Sequence, residues 1–425
     1  MATVRDISRQ SSQFNRVANT FSGRLMNTSV LIMLLGTAVL VGATVLARSP
    51  ADLLPATTLT RGRLAHGALA ALRVAAVAVA TLPVASFLTN LTGWWRSPTP
   101  PATFWSALTG IVLAVVVVAF AGPWRRSPWG PVAVVAVLTL SVLTLDVVAL
   151  GNRLIVDSPL GTSRLMAARF YGMSNPAFAL LTVSGLIVAA LLARRLLASG
   201  QRTAAVLAVL GVGAVVVVVD GAPGLGADFG GPPAQVTAFA LLAVAIGGWR
   251  VRRVVVLGVL AAAVAVTAGI AVADYLRPPG SRTHLGRFVA TILTGGWQDV
   301  IGRKLAANLR ILFRIKYTGP AVLGAVLTFW LCSPLKRFPR LAALRGRLGG
   351  LLHDEPLLAP TAGCIAVALG VGFAVNDSGA VIPAVGLALA FPALLALAAS
   401  WLKGHLLDDS AAALAPSRSS ESLGR

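Results

Sequence analysis

The chain has 425 residues and a formal net charge of +22, because 36 lysines and arginines outnumber 14 aspartates and glutamates. Only 12% of the residues are charged and 56% are hydrophobic, whereas a soluble domain carries about a quarter charged residues. This composition excludes an ordinary soluble enzyme and a disordered polycation. The basic residues form short clusters between long apolar runs, so the charge indicates membrane topology and not nucleic-acid binding.

About eleven apolar runs have the length that a membrane span needs, which is about 20 residues. The runs are continuous and do not alternate with polar residues, which favours helices over barrel strands. We therefore predict an all-α, polytopic integral membrane protein with about 11 transmembrane helices. The predicted spans lie at 27–47, 66–90, 104–121, 131–150, 175–193, 203–219, 233–248, 253–274, 318–333, 357–375 and 380–401.

Three regions follow from this pattern. A polar N-terminal segment covers residues 1–26, a transmembrane helical domain covers 27–402, and a Ser-, Ala- and Asp-rich tail covers 403–425. We expect the tail to be disordered. Within the transmembrane domain, hydrophobic residues recur at helical spacing among basic residues over 280–316. This pattern predicts an amphipathic helix on the membrane surface.

The loops between the predicted spans indicate the orientation of the chain. Every loop on one side is basic, whereas the 220–232 and 376–379 loops on the other side contain no lysine or arginine. The positive-inside rule places the basic loops in the cytoplasm. We therefore expect an inner (plasma) membrane protein with its N-terminus outside and its C-terminus cytoplasmic. The arginines before the first span conflict with this, unless an exported part precedes them or a partner assists insertion.

The unusual polar motifs all fall on the predicted outer face. They comprise a stretch before the fifth span, a glycine-rich loop, a basic segment after the eighth span and a short turn, which read RFYGMSN, DGAPGLGADFGGPP, DYLRPPGSRTHLGRF and NDSG. Six acids gather at this level: Asp146, Asp157, Asp220, Asp228, Asp274 and Asp377. Charged groups near the hydrocarbon are costly, and they are usually paired or functional.

Arginine presents a planar fork that suits phosphate and carboxylate groups. We therefore predict a substrate-binding set on the outer face, formed by Arg169, Tyr171, Asn175, Arg277, Arg282, Thr283, Arg287 and Asn376. Proton transfer in a catalytic site is assigned to His284 with Asp228 or Asp377. Three alternatives stay open: the arginines neutralise buried acids in an ion network, they bind lipid head groups, or the glycine-rich and NDSG segments are only tight turns.

The sequence shows no pattern typical of a metal or cofactor site. Cys332 and Cys364 lie in apolar runs and form no spaced set. No ligand spacing supports a metal site built from His284 and the outer-face acids Asp220, Asp228 and Asp377. We therefore assign no metal, and the cofactor is unknown.

The short motifs RFYGMSN, GLGADFGG, RTHLGRF and NDSG, with PVASFLTNLTGWW in the second span, together carry a resemblance. They resemble the membrane-spanning half of a poorly characterised, actinobacterial-type family of bacterial envelope proteins, over roughly residues 10–402. In that family a similar block follows an exported domain that is similar to alkaline phosphatase. The resemblance implies a cell-envelope role, and it implies that metal and nucleophile chemistry belong to the exported domain. It also accounts for an outside N-terminus.

Three functions fit these observations. The leading hypothesis is a vestibule that binds or processes a phosphorylated, lipid-linked cell-envelope intermediate, as an enzyme or as an enzyme subunit. The second is a transporter or flippase for such a lipid or for an organic anion. The deepest predicted charges, Arg73 and Asp146, lie near span ends, which counts against transport. The third is a non-catalytic membrane anchor or assembly partner. Expected partners are membrane lipids and an exported hydrolase-like domain or envelope-assembly protein, and no nucleic acid.

Overall fold

The structure is a computed structural model that describes residues 4–46, 55–161, 172–333 and 346–414. It contains 14 α-helices and, within these ranges, no β-strand. The helices are α1 Val4–Leu46, α2 Pro55–Leu88, α3 Pro100–Ala121, α4 Gly130–Val148, α5 Asn175–Ala198, α6 Arg202–Gly221, α7 Gly231–Gly247, α8 Arg253–Tyr275, α9 His284–Leu293, α10 Trp297–Leu312, α11 Ile315–Cys332, α12 Leu351–Asp354, α13 Leu358–Val375 and α14 Val381–Leu414.

Ten of the described helices are long and apolar enough to cross a membrane, namely α1 to α6, α8, α11, α13 and α14. This confirms an all-α, polytopic membrane protein. The remaining predicted span, 233–248, is the shorter apolar helix α7. Prolines at the start of α7 and a left-handed glycine, Gly248, after its last residue set its two ends.

Helix α7 nevertheless runs antiparallel to α6 over the same depth. Gly231, the first residue of α7, packs against the carboxylate of Asp220 near the end of α6. Gly248, just past the end of α7, lies at the start of α6, where an ideal Cβ on it would be 2.7 Å from a guanidinium nitrogen of Arg202. Ten of the eleven predicted spans therefore correspond to helices long and apolar enough to cross a membrane, and the eleventh corresponds to the shorter helix α7.

Successive spans alternate in direction, so the bundle has two distinct ends. We call the end that carries Asp146, Asp220, Asp274 and Asn376 the motif face. The other end, the opposite face, carries an ion pair in which Arg194 Nε lies 2.9 Å from Glu355 Oε2. All the described residues of the polar motifs lie at the motif face.

The two ends of the described chain lie at different faces. Near the start of α1, Phe14 stacks on Trp94 beyond the end of α2, with 5.5 Å between ring centroids. Near the end of α14, Trp401 Nε1 donates to Asp354 Oδ2 at 2.9 Å, beside the Arg194–Glu355 pair. This agrees with the odd number of crossings that the sequence predicts.

Helix α14 forms the centre of the bundle and packs against α1, α2, α5 and α11. In its most apolar window 83% of the residues are buried, against 17% in the peripheral helix α8. Small residues let the helices approach closely. On α13, an ideal Cβ on Gly372 would lie 2.8 Å from the ring of Phe178 on α5, so the contact between α13 and α5 requires a glycine there.

Three boundaries differ from the sequence-based expectation. The polar segment 1–26 is not separate, because α1 is continuous from Val4 into the first span. The segment 280–316 forms two helices, α9 and α10, since Gly295 between them takes a φ of +86° that ends the first. Finally, α14 continues to Leu414, so the first part of the tail expected to be disordered is helical.

Candidate functional site

The motif face brings together segments that are far apart in the sequence. Asn175 Nδ2, at the start of α5, donates to Asp377 Oδ1 at 2.9 Å, in the turn between α13 and α14. In the same turn, the buried side chain of Asn376 packs directly on Gly230 of the glycine-rich loop. Three of the predicted motifs thus meet at one point.

The basic segment after α8 joins this assembly through aromatic packing. The rings of Phe229, in the glycine-rich loop, and Phe288, on α9, lie 5.5 Å apart between centroids. On the side of the loop towards α5, Met173 N donates to Gly226 O at 2.8 Å. Asn308 of α10 reaches the same region, where its Nδ2 donates to Asn376 O at 2.7 Å.

Asp274, near the end of α8, is fully buried and organises the segment that follows. Its Oδ2 accepts hydrogen bonds from Thr283 Oγ1 at 2.6 Å, from Thr283 N at 3.0 Å and from Gly286 N at 2.6 Å. These donors belong to the first turn of α9, for which Thr283 is the N-cap. The carboxylate therefore caps α9 and complements the positive end of its dipole.

The three arginines of the basic segment are held around this cap. Arg277 Nη1 lies 3.3 Å from Asp274 Oδ1. Arg282 Nε donates to Arg277 O at 3.0 Å, and its guanidinium carbon lies 4.4 Å from the centroid of the Tyr275 ring, a cation–π contact. Arg287 Nε donates to Thr283 O at 3.3 Å. Each of these hydrogen bonds engages one nitrogen of a fork that has five N–H donors.

Asp220 and Asp228 converge on the start of α7. An ideal Cβ on Gly231 would lie 1.6 Å from Asp220 Oδ2 and 3.1 Å from Asp228 Oδ2, so these two oxygens are within about 5 Å of each other. Gln235 Nε2 donates to Asp220 Oδ2 at 2.9 Å and to Thr182 Oγ1 at 3.1 Å. The two carboxylates therefore lie close together at the start of α7, where Gln235 holds Asp220.

Asp146 has a structural role in the loop after α4. Its two carboxylate oxygens accept hydrogen bonds from the backbone N–H groups of Leu154 and Ile155, each at 2.8 Å. From α2's end, Asn90 Nδ2 donates to the carbonyls of Leu154 and Val156 at 2.9 and 3.0 Å. The buried acid and the buried amide together fix the loop over the bundle.

The structure places the predicted site residues in different surroundings. Arg169 and Tyr171 lie outside the described residues, as does the side chain of His284, the first residue of α9. Asn175, Asn376, Asp228 and Asp377 belong to the assembly of loops and turns. Thr283 is engaged inside the fold by Asp274. Arg277, Arg282 and Arg287 surround that cap.

Four polar residues of this face were not predicted from the sequence: Asn90, Thr182, Gln235 and Asn308. The signal present in the sequence was a polar side chain within an apolar run, and it applies to Thr182 and Gln235. Asn90 and Asn308 lie near the ends of helices, where polar residues are ordinary, so no local pattern distinguishes them.

No group of three or more His, Cys, Asp or Glu side chains that could hold a metal ion occurs among the described residues. The side chains of Cys332 and Cys364 are buried. Comparison of the chain with known protein families, with curated proteins and with solved structures finds no match.

Proposed function

We propose that the motif face binds the phosphate-bearing head group of a membrane lipid, and that the protein holds or processes a phosphorylated, lipid-linked cell-envelope intermediate. The observation that carries this proposal is the anchoring of Arg277, Arg282 and Arg287 around the buried cap formed by Asp274 and Thr283.

Anchored arginines bind phosphate better than free ones, because less side-chain entropy is lost when the ligand binds. Arg282 is fixed at Nε and by the Tyr275 ring, and Arg287 is fixed at Nε. The N-terminal amides of α9 already serve the Asp274 carboxylate. A phosphate therefore binds to the guanidinium forks and not to the end of the helix.

The position of α9 and α10 supports a lipid over a soluble anion as the ligand. Both helices carry large exposed apolar side chains, including Ile292, Leu293, Leu305 and Leu309, together with exposed arginines at 303 and 310. Helices of this kind lie in the membrane interface. Phosphate groups of lipids occupy the same level, beside the anchored arginines.

We assign proton transfer in a chemical step at this face to Asp228, Asp377 or His284. The proximity of Asp228 to Asp220 and of Asp377 to Asn175 supports a polar, organised site beside the arginines. We further propose that an exported hydrolase-like domain or an envelope-assembly protein is a partner at this face, on the basis of the motif resemblance alone.

We also propose that the motif face is the outer face of the plasma membrane. At the opposite face, short connections carry Arg125, Arg126, Arg250 and Arg252, and the last turns of α5 carry Arg194 and Arg195. Such arginines favour the cytoplasmic side. The glycine-rich loop and the NDSG turn of the motif face contain no basic residue.

The head-group site is tested by measuring retention of a phosphatidic acid by the purified protein with native mass spectrometry. The double variant Arg282→Ala/Arg287→Ala is expected to lower retention about tenfold, since each arginine supplies charge-assisted hydrogen bonds. The matched control is Arg303→Ala/Arg310→Ala, which removes the same charge from α10. An equal loss in both double variants would show that only net charge matters and would overturn the proposal.

A further inference from the structure

The opposite face carries a group of exposed arginines at the starts of α6 and α8. Arg202 is the first residue of α6, Arg253 is the first residue of α8, and Arg250 and Arg252 lie in the connection between α7 and α8. All four are exposed, and none makes an ion pair or a side-chain hydrogen bond with another residue that the structure describes. We call these four residues the arginine patch.

The arginine patch joins two segments that are distant in the sequence. Helix α7 packs against both α6 and α8. An ideal Cβ on Gly248, just past the end of α7, would lie 2.7 Å from Nη1 of Arg202. Arg250 follows Gly248 by two residues, so its Cα lies at most about 7 Å further along the chain. The connection between α7 and α8 therefore brings its arginines beside the start of α6.

No acid near the arginine patch in the sequence compensates its charge. Aspartate and glutamate are absent from residues 195–219 and 229–273. The acids of α6 and α8, Asp220 and Asp274, lie at the other ends of these helices, about 30 Å away at 1.5 Å per residue. The starts of both helices also carry the positive end of the helix dipole, which adds to the charge of the arginines. A surface with this field attracts an anion.

The depth of the arginine patch identifies the anion as a lipid phosphate. Helix α8 is a peripheral span, and directly after Arg253 it presents Val254 and Leu257, which are 71% and 65% exposed. In the connection before it, Trp249 and Val251 are 60% and 63% exposed. Tryptophan and clustered arginines at the end of a span lie at the level of the lipid head groups. An anion at this level, beside an exposed apolar helix, is the head group of a lipid.

We propose that the arginine patch binds the phosphodiester of an anionic phospholipid from the leaflet at the opposite face, and that an acyl chain of this lipid lies along the exposed side of α8. The guanidinium forks bind the phosphate oxygens. An anionic lipid is favoured over a zwitterionic one, because the ammonium group of the latter faces the same cluster of cations. This site is independent of the motif-face arginines and of the function proposed for them.

The site is tested by photo-crosslinking in phosphatidylcholine nanodiscs that contain a trace of phosphatidylglycerol with a diazirine near the start of one acyl chain. Labelling of peptides that cover residues 247–260 is measured by mass spectrometry. Arg250→Gln/Arg252→Gln is expected to lower this labelling about fivefold, since charge-assisted hydrogen bonds are lost. The control Arg125→Gln/Arg126→Gln removes the same charge from another exposed connection of this face and is expected to leave it unchanged. An equal loss in both variants, or no loss in the first, would overturn the proposal.

The contribution of the second segment is tested with Arg202→Gln, which leaves the connection between α7 and α8 unaltered. Because Arg202 lies beside Gly248, this variant is expected to lower labelling of the same peptides about threefold. Labelling equal to that of the unaltered protein would refute a site built from both segments.

The charge of the head group is tested by placing the same diazirine in phosphatidylcholine. The unaltered protein is expected to be labelled over residues 247–260 about fivefold more strongly by phosphatidylglycerol than by phosphatidylcholine. The preference is expected to disappear in Arg250→Gln/Arg252→Gln and to persist in Arg125→Gln/Arg126→Gln. Equal labelling of the unaltered protein by both lipids would refute recognition of an anionic head group.

Discussion

Asp274 is the residue on which the corner between α8 and α9 depends. It lies only one residue before the end of α8, yet its carboxylate reaches the N-cap and the third residue of the next helix. A buried carboxylate is stable there because backbone and hydroxyl donors replace the water that it loses. The same contacts position Arg277 and, through Thr283, Arg287.

Removal of this carboxylate is predicted to destabilise the protein. Asp274→Ala leaves buried donors of Thr283 and Gly286 unpaired, so we expect a loss of about 3 kcal/mol in unfolding free energy. Asp377→Ala, which removes an exposed acid of the same face, is the control and is expected to cost less than about 1 kcal/mol. Unfolding in mixed micelles of detergent and SDS measures both. Equal stability of the two variants would contradict the role given to Asp274.

At the residue scale, the sequence predicted which residue types matter but not what each one contacts. The arginines, acids and amides of the motif face were selected because polar groups are rare in an apolar chain. Thr283 was interpreted as a substrate ligand, whereas its hydroxyl serves Asp274. That contact depends on the turn at residues 276–282, and a list of residue types carries no information about the direction of a side chain.

The start of α7 carries a tight packing constraint on the motif face. Gly231 has the Asp220 carboxylate 1.6 Å from the place of its missing Cβ, whereas an ideal Cβ on Gly224 in the preceding loop meets nothing within 4 Å. The helix can therefore approach α6 only with glycine at 231. The contact of Gly231 with Asp220 sets the distance between the carboxylates of Asp220 and Asp228.

A pair of alanine substitutions separates this packing constraint from loop flexibility. Gly231→Ala is expected to lower the unfolding free energy by about 2 kcal/mol, because Asp220 or the start of α7 must move. Gly224→Ala is expected to change it by less than about 0.5 kcal/mol. Thermal unfolding in detergent reports both values. A Gly231→Ala variant as stable as Gly224→Ala would show that the loop adapts freely.

At the element scale, hydropathy identified the ten long apolar helices and the shorter helix α7, because the preference of an apolar run for the membrane is local. This local preference does not locate helix ends that lie in polar sequence, so those ends were missed. The apolar spacing over 280–316 continues through Gly295, so the break between α9 and α10 leaves no trace in the periodicity. Likewise, the polar start of α1 is helical because it packs: Phe14 stacks on Trp94 and Phe21 meets Phe104 edge-on.

At the scale of the whole molecule, alternating spans place two chemically different faces on one bundle. The motif face holds the neighbouring acids Asp220 and Asp228, the anchored arginines and the packed loops. The opposite face holds short basic connections and the Arg194–Glu355 pair. Between the two faces, residues of α11, α13 and α14 line an apolar groove.

The orientation of this architecture is predicted to place Ser281 outside the cell and Ser199 in the cytoplasm. Both residues are exposed, at the motif and opposite faces respectively. In a background where Cys332 and Cys364 are replaced by alanine, a membrane-impermeant maleimide applied to intact cells is expected to label Ser281→Cys and not Ser199→Cys. The reverse pattern would invert the orientation. Labelling of both positions would contradict their placement at opposite ends.

The sequence by itself determined the class of the protein, the course of its spans and the gathering of polar motifs at one end, because hydropathy and charge act on each segment independently. Only the tertiary structure decided which polar groups form hydrogen bonds inside the protein and where an apolar groove remains between helices. Asn90 meets a loop 64 residues away, and the groove depends on how far α11 stands from α13 over α14. Such contacts join segments that are distant in the chain, and packing between helices decides them.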